Sequence, residues 1–485
     1  MKWLGNMFNF ENYSELPAVI TDRGEVITYR QLQRETVTFS RNITRRCLVF
    51  SLCNNSIGAL VGYVGSIIHN HVPLLLDASM DLDSLGKLID LYRPAFLWVP
   101  TVKASQFEGF QSVYESWDYT LLKASFDWDY PLFDDLALLL TTSGSTGSPK
   151  LVRLSLDNLM ANAQSIVEYL QLDQTERPIT TLPMNYSYGM SIINSHLTVG
   201  ATLLMTSSSL MEKKFWSFFK EQSATSFGGV PYTYEILDKL RFYKMELNSL
   251  RTMTQAGGRL SQVLQRKFAE YAQSTGKRFC VMYGQTEASP RMSYLPAEYA
   301  LSKCGSIGVA IPGGSFSIIG VDDKEIQEAY VAGELVYSGT NVSMGYAEIG
   351  IDLIRGDDLQ GLLLTGDMAQ FDTDNIYYIV GRKKRFLKIF GNRVNLDETE
   401  HMIKSNYQNI ECACTGIDDK MYIFFVGDFL IEDIKKFVSE KTKLNFAAFQ
   451  VEAINEIPRN ESGKIAYPAL ELIATGKVSA GTLHA

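Results

Sequence analysis

The chain has 485 residues, more than one hydrophobic core usually spans, which predicts two or more domains. Apolar residues make up 46% of the chain and charged residues 20%, as in a folded protein rather than a disordered one. The net charge of −9 argues against nucleic acid as a partner, because proteins that bind nucleic acid carry basic surfaces. The six cysteines form no C-x-x-C pair, so we expect free thiols and no zinc site.

The N-terminus does not resemble an export signal. Residues 1–10 contain one lysine, and no uninterrupted apolar block follows it. The apolar stretch of residues 47–76 is interrupted by polar residues such as Asn54 and His69, which is unlike a membrane-spanning helix. We therefore expect a cytoplasmic protein without a transmembrane segment.

Short β-rich runs alternate with helical periodicity over the first 130 residues. The pattern predicts strands at residues 48–53, 72–76 and 95–99, with helices at 57–69 and 83–93 between them. Strand–helix–strand alternation of this kind is typical of a layered α/β domain with parallel strands.

A loop rich in glycine and hydroxyl side chains, residues 141–150, follows a predicted strand at 136–140. Its glycines allow backbone amides to approach phosphate oxygens, and its hydroxyls and lysine add donors. It is not a Walker A loop, because no Gly-Lys-Ser/Thr follows at the required distance, and this disfavours kinases and GTPases. Taken alone, such a loop is as often an ordinary surface loop. The candidate residues are Thr142, Ser143, Gly144, Ser145, Thr146, Gly147 and Lys150.

The residue pattern changes between the middle and the end of the chain. A second α/β stretch is predicted from residues 179–182, the helical pattern of 192–199 and residues 202–206. The glycines and alternating β residues of 307–346 predict a smaller β-rich subdomain. After Arg382 the elements become short and charged. We therefore predict a boundary near Lys384, with domains of residues 1–383 and 384–485.

Two short motifs have the chemistry of a nucleotide site. In Tyr283-Gly284-Gln285-Thr286-Glu287, the tyrosine ring can stack on a purine, the threonine can contact phosphate, and the glutamate can bind Mg²⁺. In Thr365-Gly366-Asp367, an aspartate at a strand end can accept hydrogen bonds from both ribose hydroxyls. Each motif is weak by itself.

Two basic segments follow. Residues 381–385 read Gly-Arg-Lys-Lys-Arg, which is also typical of a solvated basic patch or of a nucleic-acid or targeting signal. Residues 458–465 place Lys464 after a glycine, where a lysine is normally a surface residue.

Together, and in this order, these motifs resemble the adenylate-forming superfamily of acyl-CoA synthetases, nonribosomal-peptide adenylation domains and beetle luciferases. The resemblance also includes Gly-Glu-Leu-Val-Tyr-Ser-Gly at residues 333–339 and extends from residue 26 to Lys464. It implies an α/β fold: a large N-terminal domain of layered α/β subdomains plus a small β-rich subdomain, then a small mobile α+β domain. It also implies ATP, Mg²⁺ and either coenzyme A or a carrier-protein phosphopantetheine as ligands.

The resemblance also implies a role for each motif. The loop of residues 142–150 would bind the β- and γ-phosphates, and Thr286 and Glu287 would contact the α-phosphate and Mg²⁺. Lys464 would bridge the acid and the α-phosphate, and Lys384 would be the hinge between the domains. The remaining predicted residues are Gly257, Gly258, Arg259, Tyr283 and Gly284 around adenine, Asp367 and Arg382 on the ribose, and Gly391 and Arg393 on the thiol side.

The acid itself is the least defined ligand. Amino-acid-activating relatives place an aspartate in the pocket for the ammonium group, and residues 182–189 hold no acid, so we expect a non-amino carboxylic acid. Asn185, Tyr186 and Tyr188 can hydrogen-bond the substrate or can be ordinary core residues, and Gly228-Gly229 would leave room in a pocket wall. The expected reaction is acyl-AMP formation followed by transfer to coenzyme A. Loading of a carrier protein, and a luciferase-like oxygenase reaction, remain alternatives that use the same adenylation chemistry.

Overall fold

The computed structural model describes residues 7–126, 130–141, 150–320, 322–383, 385–390, 392–407, 410–459 and 464–474. Contacts divide the chain into two compact units. Unit 1 comprises Met1–Ser315 and Tyr337–Leu363, and unit 2 comprises Phe316–Val336 and Leu364–Ala485.

The strands of the described residues are numbered here in chain order. They are β1 (Pro17–Thr21), β2 (Val26–Thr28), β3 (Leu48–Cys53), β4 (Val72–Asp77), β5 (Phe96–Pro100), β6 (Phe110–Ser116), β7 (Tyr119–Ala124), β8 (Leu136–Thr141), β9 (Leu151–Ser155), β10 (Leu203–Met205), β11 (Ser226–Gly229), β12 (Thr252–Gln255), β13 (Arg278–Gly284), β14 (Arg291–Tyr294), β15 (Val309–Ala310), β16 (Gly314–Ile319), β17 (Gly333–Gly339), β18 (Tyr346–Ala347), β19 (Leu362–Phe371), β20 (Tyr377–Arg382), β21 (Phe386–Ile389), β22 (Asn392–Asn395), β23 (Glu411–Ile417), β24 (Lys420–Val426) and β25 (Phe449–Ala453).

The α-helices are numbered in the same way. They are α1 (Tyr29–Arg41), α2 (Ile57–Ile68), α3 (Leu82–Tyr92), α4 (Leu156–Leu170), α5 (Ser187–Thr198), α6 (Lys213–Glu221), α7 (Pro231–Lys239), α8 (Gln262–Ser274), α9 (Leu396–Asn406), α10 (Ile431–Thr442) and α11 (Tyr467–Ala474).

Unit 1 is built on an eight-stranded sheet with the order β18-β9-β8-β4-β3-β5-β7-β6. Its central pairs β8–β4, β4–β3 and β3–β5 are parallel, and the pairs at both edges are antiparallel. The central strands are continuous apolar runs because helices cover both faces of such a sheet. The predicted parallel α/β arrangement of the first 130 residues is therefore present.

A second sheet in unit 1 has the order β11-β12-β13-β14-β15. Strands β11, β12 and β13 pair in parallel, and β14 and β15 continue the sheet in antiparallel fashion. Isolated bridges from Pro178 to Ser226 and from Ile179 to Leu204 connect this sheet with the three-stranded sheet β10-β1-β2. The carboxyl ends of β11, β12 and β13 thus lie at one edge, where Gly228, Gly257 and Tyr283 are found.

Two predicted elements of unit 1 differ from the structure. The helix predicted at residues 192–199 is α5, which begins five residues earlier, at Ser187. Residues 179–182 were predicted within an α/β stretch, yet in this segment Ile179 makes an isolated bridge and no strand is formed. The first turn of α5 contains Ser187, Tyr188 and Gly189, which show no helical apolar periodicity because all three face buried surroundings.

Unit 2 contains the C-terminal sheet β23-β24-β25 with helices on both faces. Alternate residues of β23 point to opposite faces. Cys412 and Cys414 pack with residues of α9 and α10, whereas Ala413 packs with Leu470 of α11. This compact α+β arrangement matches the fold class predicted for the C-terminal part of the chain.

Two expectations from the sequence concern the state of the cysteines and membrane-spanning segments. All six cysteines are free thiols, and five of them are buried. Of the helices in the described ranges, none combines the length and the apolarity needed to span a bilayer.

Candidate functional site

The motif at residues 283–287 forms the end of β13 and the turn after it. A Cβ atom at Gly284 would lie 1.8 Å from the carbonyl oxygen of Pro290, so only glycine fits there. The turn Thr286–Ala288 follows, and the carbonyl oxygen of Glu287 accepts a hydrogen bond from the amide of Ser343 at 2.8 Å. The side chains of Thr286 and Glu287 are consequently presented side by side on a short, anchored turn.

Tyr346 joins this turn to the end of the glycine-rich loop. Its hydroxyl donates a hydrogen bond of 2.8 Å to Glu287 Oε1, and Lys150 Nζ lies 3.7 Å from the centroid of its ring. Tyr346 pairs with Val152 across β18 and β9, which brings it close to Lys150 at the start of β9. Burial, together with the negative charge of Glu287, raises the pKa of Tyr346, so the phenol remains a hydrogen-bond donor at neutral pH.

The Thr286 hydroxyl contacts helix α5. Ser187 Oγ lies 3.1 Å from Thr286 Oγ1. The segment before α5 is held by Asn55, whose amide nitrogen donates to the carbonyl of Leu182 and whose carbonyl oxygen accepts from the amide of Met184, each at 3.1 Å. The first helical turn of α5 is therefore fixed against the Thr286 turn.

The predicted acyl-pocket residues lie together in unit 1. The hydroxyl of Tyr188 forms a hydrogen bond of 2.9 Å with Thr254 Oγ1. A Cβ atom at Gly228 would come within 3.0 Å of that hydroxyl, so the glycine makes room for the Tyr188 side chain. A Cβ atom at Gly229 would lie 2.8 Å from Thr233, which shows that this glycine serves packing of β11 on α7.

Asn185 and Tyr186 occupy the segment immediately before α5. Asn185 Oδ1 is buried and accepts no hydrogen bond from any described residue. A buried amide oxygen without a donor is unusual, and a bound ligand is one way to satisfy it. The hydroxyl of Tyr186 packs on Gly257, where an added Cβ atom would lie 2.6 Å away.

The predicted adenine-flanking segment is the loop after β12. Gly257 has a φ of +80°, a conformation that favours glycine. Gln255 Nε2 donates a hydrogen bond of 2.9 Å to the carbonyl of Gly258 and so holds the loop, while Arg259 is exposed.

In unit 2 the structure places the two predicted ribose ligands opposite each other. Asp367 of β19 pairs with Arg382 of β20, and Arg382 Nε lies 3.3 Å from Asp367 Oδ1. The amide of Asp367 donates to Thr365 Oγ1 at 3.0 Å. Asp367 is buried, whereas the Arg382 side chain is 65% exposed, so the carboxylate is positioned and the guanidinium faces solvent.

Several predicted residues lie outside the described residues. These are Thr142, Ser143, Gly144, Ser145, Thr146, Gly147, Lys384 and Gly391. Arg393 lies on β22 opposite Lys388 of β21. Lys464 is half-buried and precedes Ile465, which forms a bridge with Arg459.

A family model described as "AMP-binding enzyme" matches residues 9–347 of the chain. This range includes the Thr286 turn, Lys150, Tyr346 and the loop after β12. The chain belongs to the AMP-binding enzyme family. The superfamily expected from the motifs is thereby confirmed.

The relatives of this AMP-binding enzyme include two proteins of Arabidopsis thaliana. The protein named oxalate–CoA ligase is 29% identical over 350 residues, which cover 68% of this chain and 66% of the relative. The peroxisomal OPC-8:0-CoA ligase 1 is 29% identical over 357 residues, which cover 70% of this chain and 65% of the relative. The chain thus spans about two thirds of the length of these relatives.

A solved structure confirms the fold class. The O-succinylbenzoate coenzyme A synthetase of Bacillus subtilis, in complex with AMP, aligns with a TM-score of 0.77 over 96% of this chain and 98% of that chain. Sequence identity is 19%, so this likeness concerns the fold alone.

Sequence reasoning missed three side chains of this AMP-binding enzyme that contact predicted site residues. Ser187 touches Thr286, Tyr346 touches Glu287 and Lys150, and Thr254 touches Tyr188. Ser187 stood within the segment chosen as acyl pocket, and Tyr346 ended the glycine-rich β segment, but their partners lie far away in sequence. Only the pairing of β18 with β9 brings Tyr346 to Lys150.

Proposed function

We propose that this AMP-binding enzyme activates a carboxylic acid with ATP and then transfers the acyl group to the thiol of coenzyme A. In the first step a carboxylate oxygen bonds to the α-phosphorus, and the bond from that phosphorus to the bridging oxygen breaks, which releases pyrophosphate. In the second step the thiolate sulfur bonds to the acyl carbon and AMP leaves, while the thiol proton passes to solvent. The family match and the CoA ligases among the relatives support this reaction.

The observation that carries the proposal is the anchored turn of Thr286 and Glu287. One hydroxyl and one carboxylate are held there by Ser187 and Tyr346, and Tyr346 also contacts Lys150. A triphosphate needs cationic and hydrogen-bonding groups that are already in position when charge develops at the α-phosphorus. We infer that Thr286 contacts the α-phosphate and that Lys150 binds the phosphates beyond it.

Magnesium fits the same turn. Tyr346 uses Oε1 of Glu287, and Oε2 accepts no hydrogen bond from any described residue. Mg²⁺ at phosphoryl-transfer sites is bound by one or two carboxylates together with substrate phosphates. Bound at Glu287, the ion would neutralise part of the phosphate charge. Within the described residues, no cluster of three or more His, Cys, Asp or Glu side chains is placed to hold a metal ion.

Residues of unit 2 have proposed roles in the same reaction. The buried carboxylate of Asp367 would accept hydrogen bonds from the ribose hydroxyls, with Arg382 beside it. Lys464 would contact both the acid and the α-phosphate and stabilise the charge that develops between them. Gly391 and Arg393 would serve the pantetheine arm of the thiol substrate.

The acceptor can be tested directly. Purified protein is given ATP, Mg²⁺ and a panel of carboxylic acids, first with coenzyme A and then with a phosphopantetheinylated carrier protein. We expect AMP, pyrophosphate and an acyl-CoA thioester in the first case. If the thioester forms only on the carrier protein, the acceptor is that carrier and not coenzyme A. Oxygen uptake or light emission with a suitable acid would instead indicate an oxygenase.

A further inference from the structure

A cavity in unit 1 lies next to the predicted acyl pocket. It is enclosed by residues of α4, α5, β11, β12 and β14 and has a volume of about 20 Å³. A space of this size holds one small polar group, since a buried water needs about 10–15 Å³. Its wall includes Ile192, Gly228, Thr254 and the side chain of Arg291.

Arg291 is a buried cation whose described partners are all neutral. Its side chain is 2% exposed. Nε donates to Ser191 Oγ at 3.1 Å, and Nη1 donates to the hydroxyl of Tyr169 at 3.2 Å and to the sulfur of Met282. The guanidinium carbon lies 4.4 Å from the ring centroid of Tyr188. Among the described residues no carboxylate forms an ion pair with Arg291, and its Nη2 donates no hydrogen bond.

The other fully buried arginine of unit 1 provides the contrast. Arg153 is 0% exposed, and its Nη2 lies 2.6 Å from a carboxylate oxygen of Asp358. Its remaining donors reach backbone carbonyls, including those of Met344 and Tyr346. Burying a charge without a counter-charge is strongly unfavourable, and Arg153 has that counter-charge. Arg291 has none among the residues that the structure describes, and a ligand carboxylate would supply it.

Further unsatisfied polar atoms belong to residues of the same cavity. Ser226 Oγ and Thr252 Oγ1, whose hydroxyls can donate to a carboxylate, are buried and have no hydrogen-bond partner among the described residues. The Nδ1 of His196 lies 2.8 Å from the carbonyl of Ile192 and must be the protonated nitrogen of the neutral ring. Burial lowers the pKa of His196 to about 4, so at neutral pH the positive charge in this cavity belongs to Arg291.

Helix α5 connects Arg291 with the reaction centre. Ser187, in its first turn, contacts Thr286, and Ser191, one turn later, contacts Arg291. Four residues of α-helix advance by about 6 Å, which sets the separation of the two contact points along the axis. A short dicarboxylic acid has its two carboxylates at a comparable separation.

We propose that Arg291 binds the second carboxylate of a short dicarboxylic acid whose first carboxylate is activated at Thr286. The inference rests on the proposed function and names its substrate class. Arg291 is then a specificity-determining residue: it replaces water around the distal carboxylate with a positioned guanidinium, and it disfavours an uncharged group at that place. A site that hydrogen-bonds a substrate group rejects the analogue lacking it far more strongly than an apolar pocket does.

The test compares each diacid with its neutral half-amide, which has nearly the same shape. Pyrophosphate release is measured with succinate, glutarate and adipate, with their half-amides, and with butyrate and valerate. For at least one diacid, kcat/KM in the wild type should exceed that of its half-amide by about tenfold or more. Arg291→Gln should remove that preference, and Arg291→Lys should restore part of it because it keeps the charge.

Two controls separate charge recognition from general damage. Arg278→Gln removes another arginine of unit 1, whose Nη1 donates to the carbonyl of Leu170, and it should leave the ranking of acids unchanged. Thermal unfolding compares Arg291→Gln with Arg153→Gln. Because no described carboxylate pairs with Arg291, its variant should unfold at or above the wild-type temperature, while the Arg153 variant should unfold well below it.

The outcomes are distinct. If monocarboxylic acids or half-amides are activated as well as the diacids, and Arg291→Gln keeps the same ranking, the inference is wrong while the proposed function stands. A fall in unfolding temperature as large as that of Arg153→Gln would also overturn it, because Arg291 would then be structural. If no acid of the panel supports pyrophosphate release, the proposed function itself fails.

Discussion

The role of the Tyr346 hydroxyl can be tested by removing that single group. Tyr346→Phe removes the hydrogen bond to Glu287 Oε1 and leaves a ring beneath Lys150. Hydrogen bonds to charged groups contribute about 1.5–3 kcal/mol, so we expect kcat/KM for acid activation to fall by about tenfold or more. The loss should be greatest at low Mg²⁺, since Glu287 is then less well oriented. Initial rates of pyrophosphate release over a Mg²⁺ series measure this.

Tyr337→Phe is the matched control for that variant. Tyr337 is a buried tyrosine of unit 1 whose hydroxyl donates to Asn341 Oδ1 at 2.8 Å. It should lose some stability but keep the Mg²⁺ dependence of the wild type. If both variants change the Mg²⁺ dependence equally, Tyr346 has no special role in orienting Glu287.

His196 makes a prediction about pH. Burial and the positive charge of Arg291 lower the pKa of His196 to about 4, whereas the unfolded chain has the ordinary value of 6.5. Between these values the unfolded state binds the extra proton, so stability falls as the pH falls below 6.5. At pH 5 this one residue lowers the free energy of unfolding by about 2 kcal/mol relative to neutral pH. Urea unfolding at pH 7 and pH 5 should therefore show a smaller loss for His196→Gln than for the wild type. Equal losses would mean that His196 is protonated in the folded protein.

At the scale of elements, the sequence predicted most of the first sheet correctly. Strand β3 has the predicted bounds, α2 and β4 differ by one residue at one end, and β5 is shifted by one residue at both ends. This agreement arises because continuous apolar runs alternate there with helical periodicity. Helix α5 was placed too late, since its first turn is buried on all sides and gives no periodic pattern. Its true start matters, because it places Ser187 on Thr286.

The candidate site was predictable where its residues are neighbours in sequence. The Thr286–Glu287 turn follows the end of β13, where polar residues interrupt an apolar run. Asp367 was expected at a strand end, and this was wrong, because it lies within β19. Arg291 and Tyr346 were not found, because their significance depends on contacts that only the folded sheets create. A buried arginine cannot be distinguished from a surface arginine in one sequence.

Gly189 tests the close packing at the start of α5. A Cβ atom there would lie 2.2 Å from the carbonyl oxygen of Pro183. Gly189→Ala should therefore destabilise the protein by about 1–3 kcal/mol, the usual cost of overpacking, and should slow acid activation by shifting Ser187. Gly86 lies inside α3 with open space around it, so Gly86→Ala should instead raise the free energy of unfolding by up to about 1 kcal/mol. Urea unfolding compares the two. Equal effects of both substitutions would show that α5 is not tightly held.

At the scale of the whole molecule, the proposed reaction uses residues of both units. The predicted hinge at Lys384 and the domains of residues 1–383 and 384–485 stay predictions. Unit 2 additionally contains Phe316–Val336 and residues 364–383. Lys464 makes the shared reaction testable. Lys464→Ala should slow adenylation by about 10²-fold or more, because one charge-stabilising group is lost. Thioester formation from supplied acyl-adenylate should be comparatively unaffected. An equal loss in both half-reactions would contradict a role in one step.

The fate of one oxygen atom tests the central claim, that the acid is activated as an acyl-adenylate. The best acid of the panel is labelled with ¹⁸O in its carboxylate and incubated with ATP, Mg²⁺ and coenzyme A, and the products are analysed by mass spectrometry. The attacking carboxylate oxygen stays on phosphorus when sulfur displaces AMP from the acyl carbon, so we predict one ¹⁸O atom per AMP and none in pyrophosphate. Label in inorganic phosphate together with ADP would instead show an acyl phosphate, and would contradict the account.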